Sequence, residues 1–155
     1  MLNFKLKTMK RIILVFSIFI MSVFGCMAFA EEHPIPVTSL PAQVQTFVST
    51  HFKGNSIIYA EKDNYSKTKY EVRLNDGTEI SFDRKCNWDK VDTNSPVKTV
   101  PDEFVPTFIK NYVKNNMKNQ LIIKIDKERY GYEIELSSGI ELKFDKKGNV
   151  IDFDD

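Results

Sequence analysis

Cys86 in the run DRKCN, together with His33 and His51, are the side chains of this 155-residue chain best suited to nucleophilic or metal chemistry. A cysteine becomes a nucleophile beside a base or cation that lowers its pKa, and a zinc site needs three or four ligands at set spacings. Neither histidine has a cysteine, histidine or acidic cluster at metal spacing beside it, and neither lies near Cys86 in sequence. Serines are numerous, but no G-x-S-x-G elbow occurs. Asp145-Lys146-Lys147-Gly148-Asn149 has the outline of a calcium loop without its alternating oxygens or closing glutamate, and reads as a tight turn. The expectation is therefore no catalytic residue, no metal and no cofactor.

What remains is charge and aromatic surface, positioned by a duplicated framework. Residues 70–92, YEVRLNDGTEISFDRKCNWDKVD, match residues 132–154, YEIELSSGIELKFDKKGNVIDFD, without a gap, so Tyr132 follows Tyr70 by 62 positions. Upstream, LPAQVQTFVSTHF from Leu40 matches VPTFIKNYVKNNM from Val105 at an offset of 65, the longer first copy taking up the difference in KDNYSKTK. A repeat of this size is one folding pattern used twice. We divide the chain into an export segment, 1–30, a first repeat, 31–92, a linker, 93–104, and a second repeat, 105–155. Each half of about sixty residues is marginal alone, so both are expected to form one compact domain.

The export segment has Lys5, Lys7, Lys10 and Arg11 before an apolar run from Ile12 to Gly25, then Ala28-Phe29-Ala30 as a cleavage site. The alternative is a lipoprotein box, Val23-Phe24-Gly25-Cys26, with the chain anchored through an acylated Cys26. After cleavage at Ala30 no transmembrane span is expected, and Cys86 has no cysteine to pair with. The whole chain is formally +1, and residues 1–30 hold four cations and no acid, so residues 31–155 carry −3. That balance excludes a basic footprint for nucleic acid.

Periodicity gives each repeat one helix followed by antiparallel strands. Ser39 is the expected cap of a helix with Pro41 in its first turn, whose stripe is Val44, Phe47, Val48 and Phe52; Gly54 ends it. Pro106 opens the second helix, with Ile109, Tyr112, Val113 and Met117 as its stripe. Lys110, Lys114 and Lys118 read as its solvated outer face. Ile57-Ile58 and Ile122-Ile123 begin the sheet, and Asp76-Gly77 and Ser138-Gly139 make tight turns. Val91 in one copy, and Ile151 with Phe153 in the other, mark a last short strand. The segment 93–104, TNSPVKTVPDEF, is polar and proline-punctuated, which suits a linker.

Alternation then assigns two faces. Tyr70, Val72, Leu74, Ile80, Phe82, Tyr132, Ile134, Leu136, Ile140, Leu142 and Phe144 lie beneath both helices. Glu71, Arg73, Glu79, Ser81, Glu133, Glu135, Glu141 and Lys143 lie on the uncovered face. By parity with Val91, Trp88 projects to that polar face with Lys90, where an exposed tryptophan would anchor an interface; in the alternative it folds over the sheet edge and caps the core. The candidate binding residues are accordingly Trp88, Arg73, Lys90, Glu71, Glu79, Glu133, Glu135 and Lys143.

The leucine-proline helix start, then YEVRLNDGTEISFDRKCNWDKVD, then a second copy ending IDFDD, resembles the PepSY-like family of exported bacterial proteins, also described as beta-lactamase-inhibitor-like, typical of Bacteroides-type bacteria. The resemblance runs over essentially all of residues 31–155. It implies an α+β fold, a tandem repeat of helix plus antiparallel strands like that of the beta-lactamase inhibitor protein, with helices on one face of the sheet. It matches turns and core positions, not contact residues, so it implies no particular target. Asn64-Tyr65-Ser66 matches a glycosylation sequon, a weak signal in a chain of bacterial type. Cys86 departs from the repeat, since the second copy has Gly148 there.

The functional expectation is a non-enzymatic binding module, periplasmic or secreted, that uses its open sheet face on a protein or peptide of the envelope. The alternatives are an enzyme of unrecognised type using Cys86 or the acidic sheet residues, and a structural or sensory envelope component.

Overall fold

The structure, a computed structural model, describes residues 33–63 and 68–154. The expected export segment with Cys26, and the Asn64-Tyr65-Ser66 sequon, lie outside the described residues.

Each copy starts with a helix entered through proline: α1, Ala42–His51, follows Pro41, and α2, Thr107–Asn116, follows Pro106. A proline suits this position because its fixed φ feeds the helix and its missing N–H would have had no acceptor in the first turn. Ser39 does not cap α1; it ends a short 3-10 turn, Val37–Ser39, and Asp102–Phe104 makes the matching turn before α2. Val44 and Val48, and likewise Ile109 and Val113, are buried at a spacing of four, the single apolar stripe that each helix lays on the sheet. Gly54, at φ +87°, takes the left-handed conformation that turns the chain out of the α1 region.

The strands are β1, His33–Pro34; β2, Ile57–Lys62; β3, Thr68–Leu74; β4, Glu79–Asp83; β5, Trp88–Asp92; β6, Ile122–Lys127; β7, Gly131–Leu136; β8, Glu141–Asp145; and β9, Val150–Asp154. They form one nine-stranded sheet in chain order, antiparallel throughout, so the fold is α+β and the two repeats share a single sheet. The hairpin turns are the expected ones, with Gly77 and Gly139 both at φ +87°.

Register lines the core up in a continuous row, Ala60, Val72, Ile80, Val91, Ile125, Ile134 and Leu142, each directly opposite the next. None of the seven is more than 2% exposed. Phe82 and Phe144 occupy equivalent places, fully buried; Phe47 of α1 meets Phe82 edge-on at 5.2 Å, and Tyr112 of α2 meets Phe144 at 5.4 Å. Both helices therefore pack on the same face.

Residues 93–104 are packed into this core rather than strung between copies. The Thr93 and Val100 amides donate to the Ile123 and Ile122 carbonyls at 2.9 and 2.8 Å, and both residues are buried. Phe104 stacks on Phe52 at 5.6 Å, so the segment wedges the end of α1 against the second repeat. Lys98 reaches back to the Asp76 carboxylate and the Thr78 hydroxyl of the β3–β4 turn. Burial alone would raise Asp76, but hydrogen bonds from Lys98 and Thr78 outweigh it and hold the carboxyl at about 2.

Truncating Phe82 or Phe144 to alanine is expected to cost about 3–5 kcal/mol each in urea unfolding. The depressed Asp76 carboxyl stabilises the fold fully above the ordinary carboxylate range, and that share is lost as pH falls from about 4 toward about 2. Unfolding midpoints of the native chain and Asp76→Asn, compared across that range, should converge as the pH drops.

Candidate functional site

Opposite the helices, the same registers build two polar rows across the sheet. One runs Tyr59, Arg73, Glu79, Asp92, Lys124, Glu135, Glu141, Asp154; the other runs Glu61, Glu71, Ser81, Lys90, Asp126, Glu133, Lys143, Asp152. Of the predicted residues, Arg73, Lys90, Glu71, Glu79, Glu133, Glu135 and Lys143 stand in these rows. The sequence reading stopped short of Glu61, Asp92, Lys124, Asp126, Asp152 and Asp154, although the alternation in IIKIDK and VIDFD carries most of them.

The rows hold ten carboxylates and four cations, a balance of −6 where residues 31–155 together carry −3. Some charges are neutralised in place. Arg73 donates to Glu79 at 2.7 Å, Ser81 to Glu71 at 3.1 Å, and Lys143 to Asp152 at 2.9 Å. Lys124 lies 3.4 Å from Asp126; burial works against its charge, but Asp126, Asp92 and Glu135 around it raise its pKa overall. Burial also raises the Asp126 carboxyl, against the pull of Lys124 and Lys90. The Tyr130 hydroxyl donates to Glu133 at 2.9 Å, and burial with that bond pushes it up to about 12.

Other neighbours oppose each other. Glu61 faces Glu71, Glu79 faces Asp92, Asp126 faces Glu133, Glu135 faces Glu141 and Glu141 faces Asp154. Directly opposed like charges destabilise a sheet by some tenths of a kcal/mol each. The fold retains five such pairs on one face.

Trp88 is not on that face, contrary to the parity expectation. A bulge separates Ser81↔Lys90 from Phe82↔Trp88, so Asp89 is the extra residue and Trp88 returns to the side of Phe82. Its ring meets Phe104 edge-on at 5.2 Å, and the Lys127 ammonium sits 3.3 Å from its centroid while donating to its carbonyl at 3.2 Å. Trp88 caps the core at the seam between the copies. The second copy bulges at the matching place, where Phe144 faces Val150 and Ile151 is the extra residue.

A groove of about 540 Å³ opens over Trp88, lined among others by Gln43, Phe47, His51, Cys86 and Lys127. In the second copy Phe108 stands where α1 has Gln43, its ring 6.1 Å from both Tyr132 and Phe144. A Cβ on Gly148 would meet that ring at 3.0 Å, so Phe108 requires a glycine there. With Gln43 the room is free, and Cys86 takes the left-handed turn position at φ +61°. The turns are otherwise alike: Asp83 accepts from the Lys85 and Asn87 amides, and Asp145 from those of Lys147 and Asn149. Asp145-Lys146-Lys147-Gly148-Asn149 is thus a tight turn whose carboxylate is committed to its own backbone. Burial first, then Asp83, raises the Cys86 thiol, which lowers its thiolate fraction. His51 donates from Nδ1 to the Glu103 carboxylate at 3.0 Å, tying α1 to the 3-10 turn before α2. Among the described residues no group of three His, Cys, Asp or Glu side chains is placed to hold a metal ion, and no helix is long and apolar enough to cross a membrane.

A family model described as "Putative beta-lactamase-inhibitor-like, PepSY-like" matches residues 27–75 and 68–152. The chain belongs to this family. Among solved structures of similar fold, a "putative calcium-regulated periplasmic protein" from Bacteroides thetaiotaomicron is 36% identical, covering 81% of this chain and 98% of its own, with a TM-score of 0.71. A "putative periplasmic protein" from Bacteroides vulgatus is also 36% identical, over 83% of this chain and all of its own, at 0.71. A second periplasmic protein of that organism, of unknown function, is 32% identical, over 80% and 99%, again at 0.71. No curated protein matches. The two matched segments lie in tandem along the chain and overlap at residues 68–75.

Trp88→Ala is expected to lower stability by about 2 kcal/mol, below the range for a fully buried aromatic because the side chain is only partly buried. Thermal unfolding checks it, and an unchanged midpoint would mean that the ring is no part of the cap.

Proposed function

We propose that this PepSY-like protein is an exported binding module of the bacterial envelope whose uncovered sheet face docks a protein or peptide with a basic surface. The observation that carries the reading is the set of five like-charge cross-strand pairs on that face. A face arranged for stability alone would alternate its signs, since directly opposed acids cost stability. A cationic partner relieves that repulsion on docking and is steered by the net field. The inhibitor-like family description and the periplasmic relatives agree with export and with a role that needs no catalytic group.

The test separates binding from folding at Glu141, which faces both Glu135 and Asp154. Glu141→Lys should leave stability equal or raise it by about 0.5 kcal/mol, because it turns two repulsions into attractions. The same change should weaken a partner captured from envelope extract, and identified by mass spectrometry, by about tenfold. Capture should also fall as ionic strength rises. A partner held equally well by the variant and at high salt would refute the acidic face as the docking surface.

A further inference from the structure

The buried row of the sheet has an eighth member, and it is not buried. Phe153 lies directly opposite Leu142 and continues the line from Ala60, yet it is 45% exposed where its seven predecessors are at most 2%. The reason is position: β9 is the last strand of the sheet, and among the described residues no strand pairs with its outer edge. The repeat supplies the comparison. Its counterpart β5 pairs along that edge with β6, placing Ile125 beside Val91, Lys124 beside Asp92 and Asp126 beside Lys90. Val91, the equivalent of Phe153, is thereby sealed completely.

We infer that β9 is an addition site for one further antiparallel strand, supplied by a partner segment in which basic and apolar residues alternate. The chemistry follows from what β9 carries in place of β5. Apolar Phe153 asks for an apolar neighbour, as Val91 has in Ile125. Asp154 faces Glu141 and shares the Lys143 ammonium with Asp152, at 3.6 Å, so one cation serves two acids and the outer side of Asp154 is open to a second in the position that Lys124 holds beside Asp92. Asp152 stands where β5 has Lys90, so the opposing residue is a cation or neutral rather than the acid found in β6. A second copy paired edge to edge through β9 would instead bring Asp152 and Asp154 against their own kind, which disfavours it. Among the described residues the outermost strand at the opposite edge is the two-residue His33–Pro34, a poorer template because its proline has no N–H to offer. This site shares Asp152 and Asp154 with the acidic face, but it holds its partner through backbone pairing at an edge.

The probe is a capped seven-residue peptide of alternating lysine and isoleucine, titrated onto the chain with amide hydrogen exchange read by NMR. Exchange at Ile151–Asp154 should slow by about tenfold or more at saturation. The same peptide N-methylated along one edge keeps every charge and loses the pairing, and should bind about tenfold more weakly; so should the parent peptide against Phe153→Ser. Glu71→Lys, on the acidic face and remote from β9, should leave the affinity unchanged. The inference is overturned if β9 exchange does not slow, if the N-methylated peptide binds as well, if Glu71→Lys abolishes binding, or if the free chain is already a dimer with β9 protected. Because Glu71→Lys and N-methylation report on different surfaces, failure here and failure of the acidic-face reading are distinguishable.

Discussion

The pairing of β5 with β6 is the contact on which the rest of the molecule depends. It joins two units of about sixty residues, each of marginal size for an independent core, into one sheet with one core. Val91 against Ile125 makes the apolar row continuous through the seam, and the chain that makes the crossing is itself part of the packing. Phe104 touches Phe47, Phe52, His51 and Trp88, so the aromatic contacts of the first repeat converge on a residue contributed by the connection to the second. Lys127 of β6 closes the same seam from the other side by lying over Trp88. The copies are therefore coupled through backbone pairing, ring packing and a cation–π contact at one place, which predicts one cooperative transition.

Strand alternation, glycine turns and proline helix starts made the α+β repeat legible in the sequence, because each of those signals is local. What was not legible is the bulge. One inserted residue reverses the parity of everything before it, and nothing in WDKVD marks Asp89 as the extra one. That is why Trp88 was assigned to the polar face while Lys90, beyond the bulge, was placed correctly. The repeat held a usable clue: bulges recur at Ile57/Tyr59 and Ile122/Lys124, and again at β4–β5 and β8–β9, while the shift at Thr68/Tyr70 occurs in the first copy alone. The linker was misleading for a different reason. Its composition is polar and proline-rich, but Val100 and Phe104 within it are buried while Val97 is exposed, and composition does not tell these three apolar residues apart.

Where the copies differ, the differences come in matched sets. Phe108 with Gly148 in one copy answers Gln43 with Cys86 in the other, since the ring excludes any side chain at the turn and its absence permits one. Cys86 then accepts a left-handed backbone that glycine would adopt more readily, a modest cost for a non-glycine residue. Its thiol, raised by burial and by Asp83, gains no reactivity from the position. The divergence is better understood as packing that opened a groove over Trp88 than as the arrival of chemistry.

The open face shows the opposite kind of departure, one that packing does not require. Core positions on either side of the sheet's midline are near copies of each other, as Phe82 and Phe144 are, whereas charge on the polar face is unevenly spread. Ser81 in the first copy corresponds to Lys143 in the second, and Lys90 to Asp152, so the pattern of signs is not inherited from the repeat. Residues on that face contribute little to the hydrophobic core, and their like-charge neighbours work against the sheet's stability. Acids opposed on adjacent strands above a core that keeps its repeat are what the proposed docking role accounts for, since a cationic partner would supply the positive charge that the sheet itself leaves short.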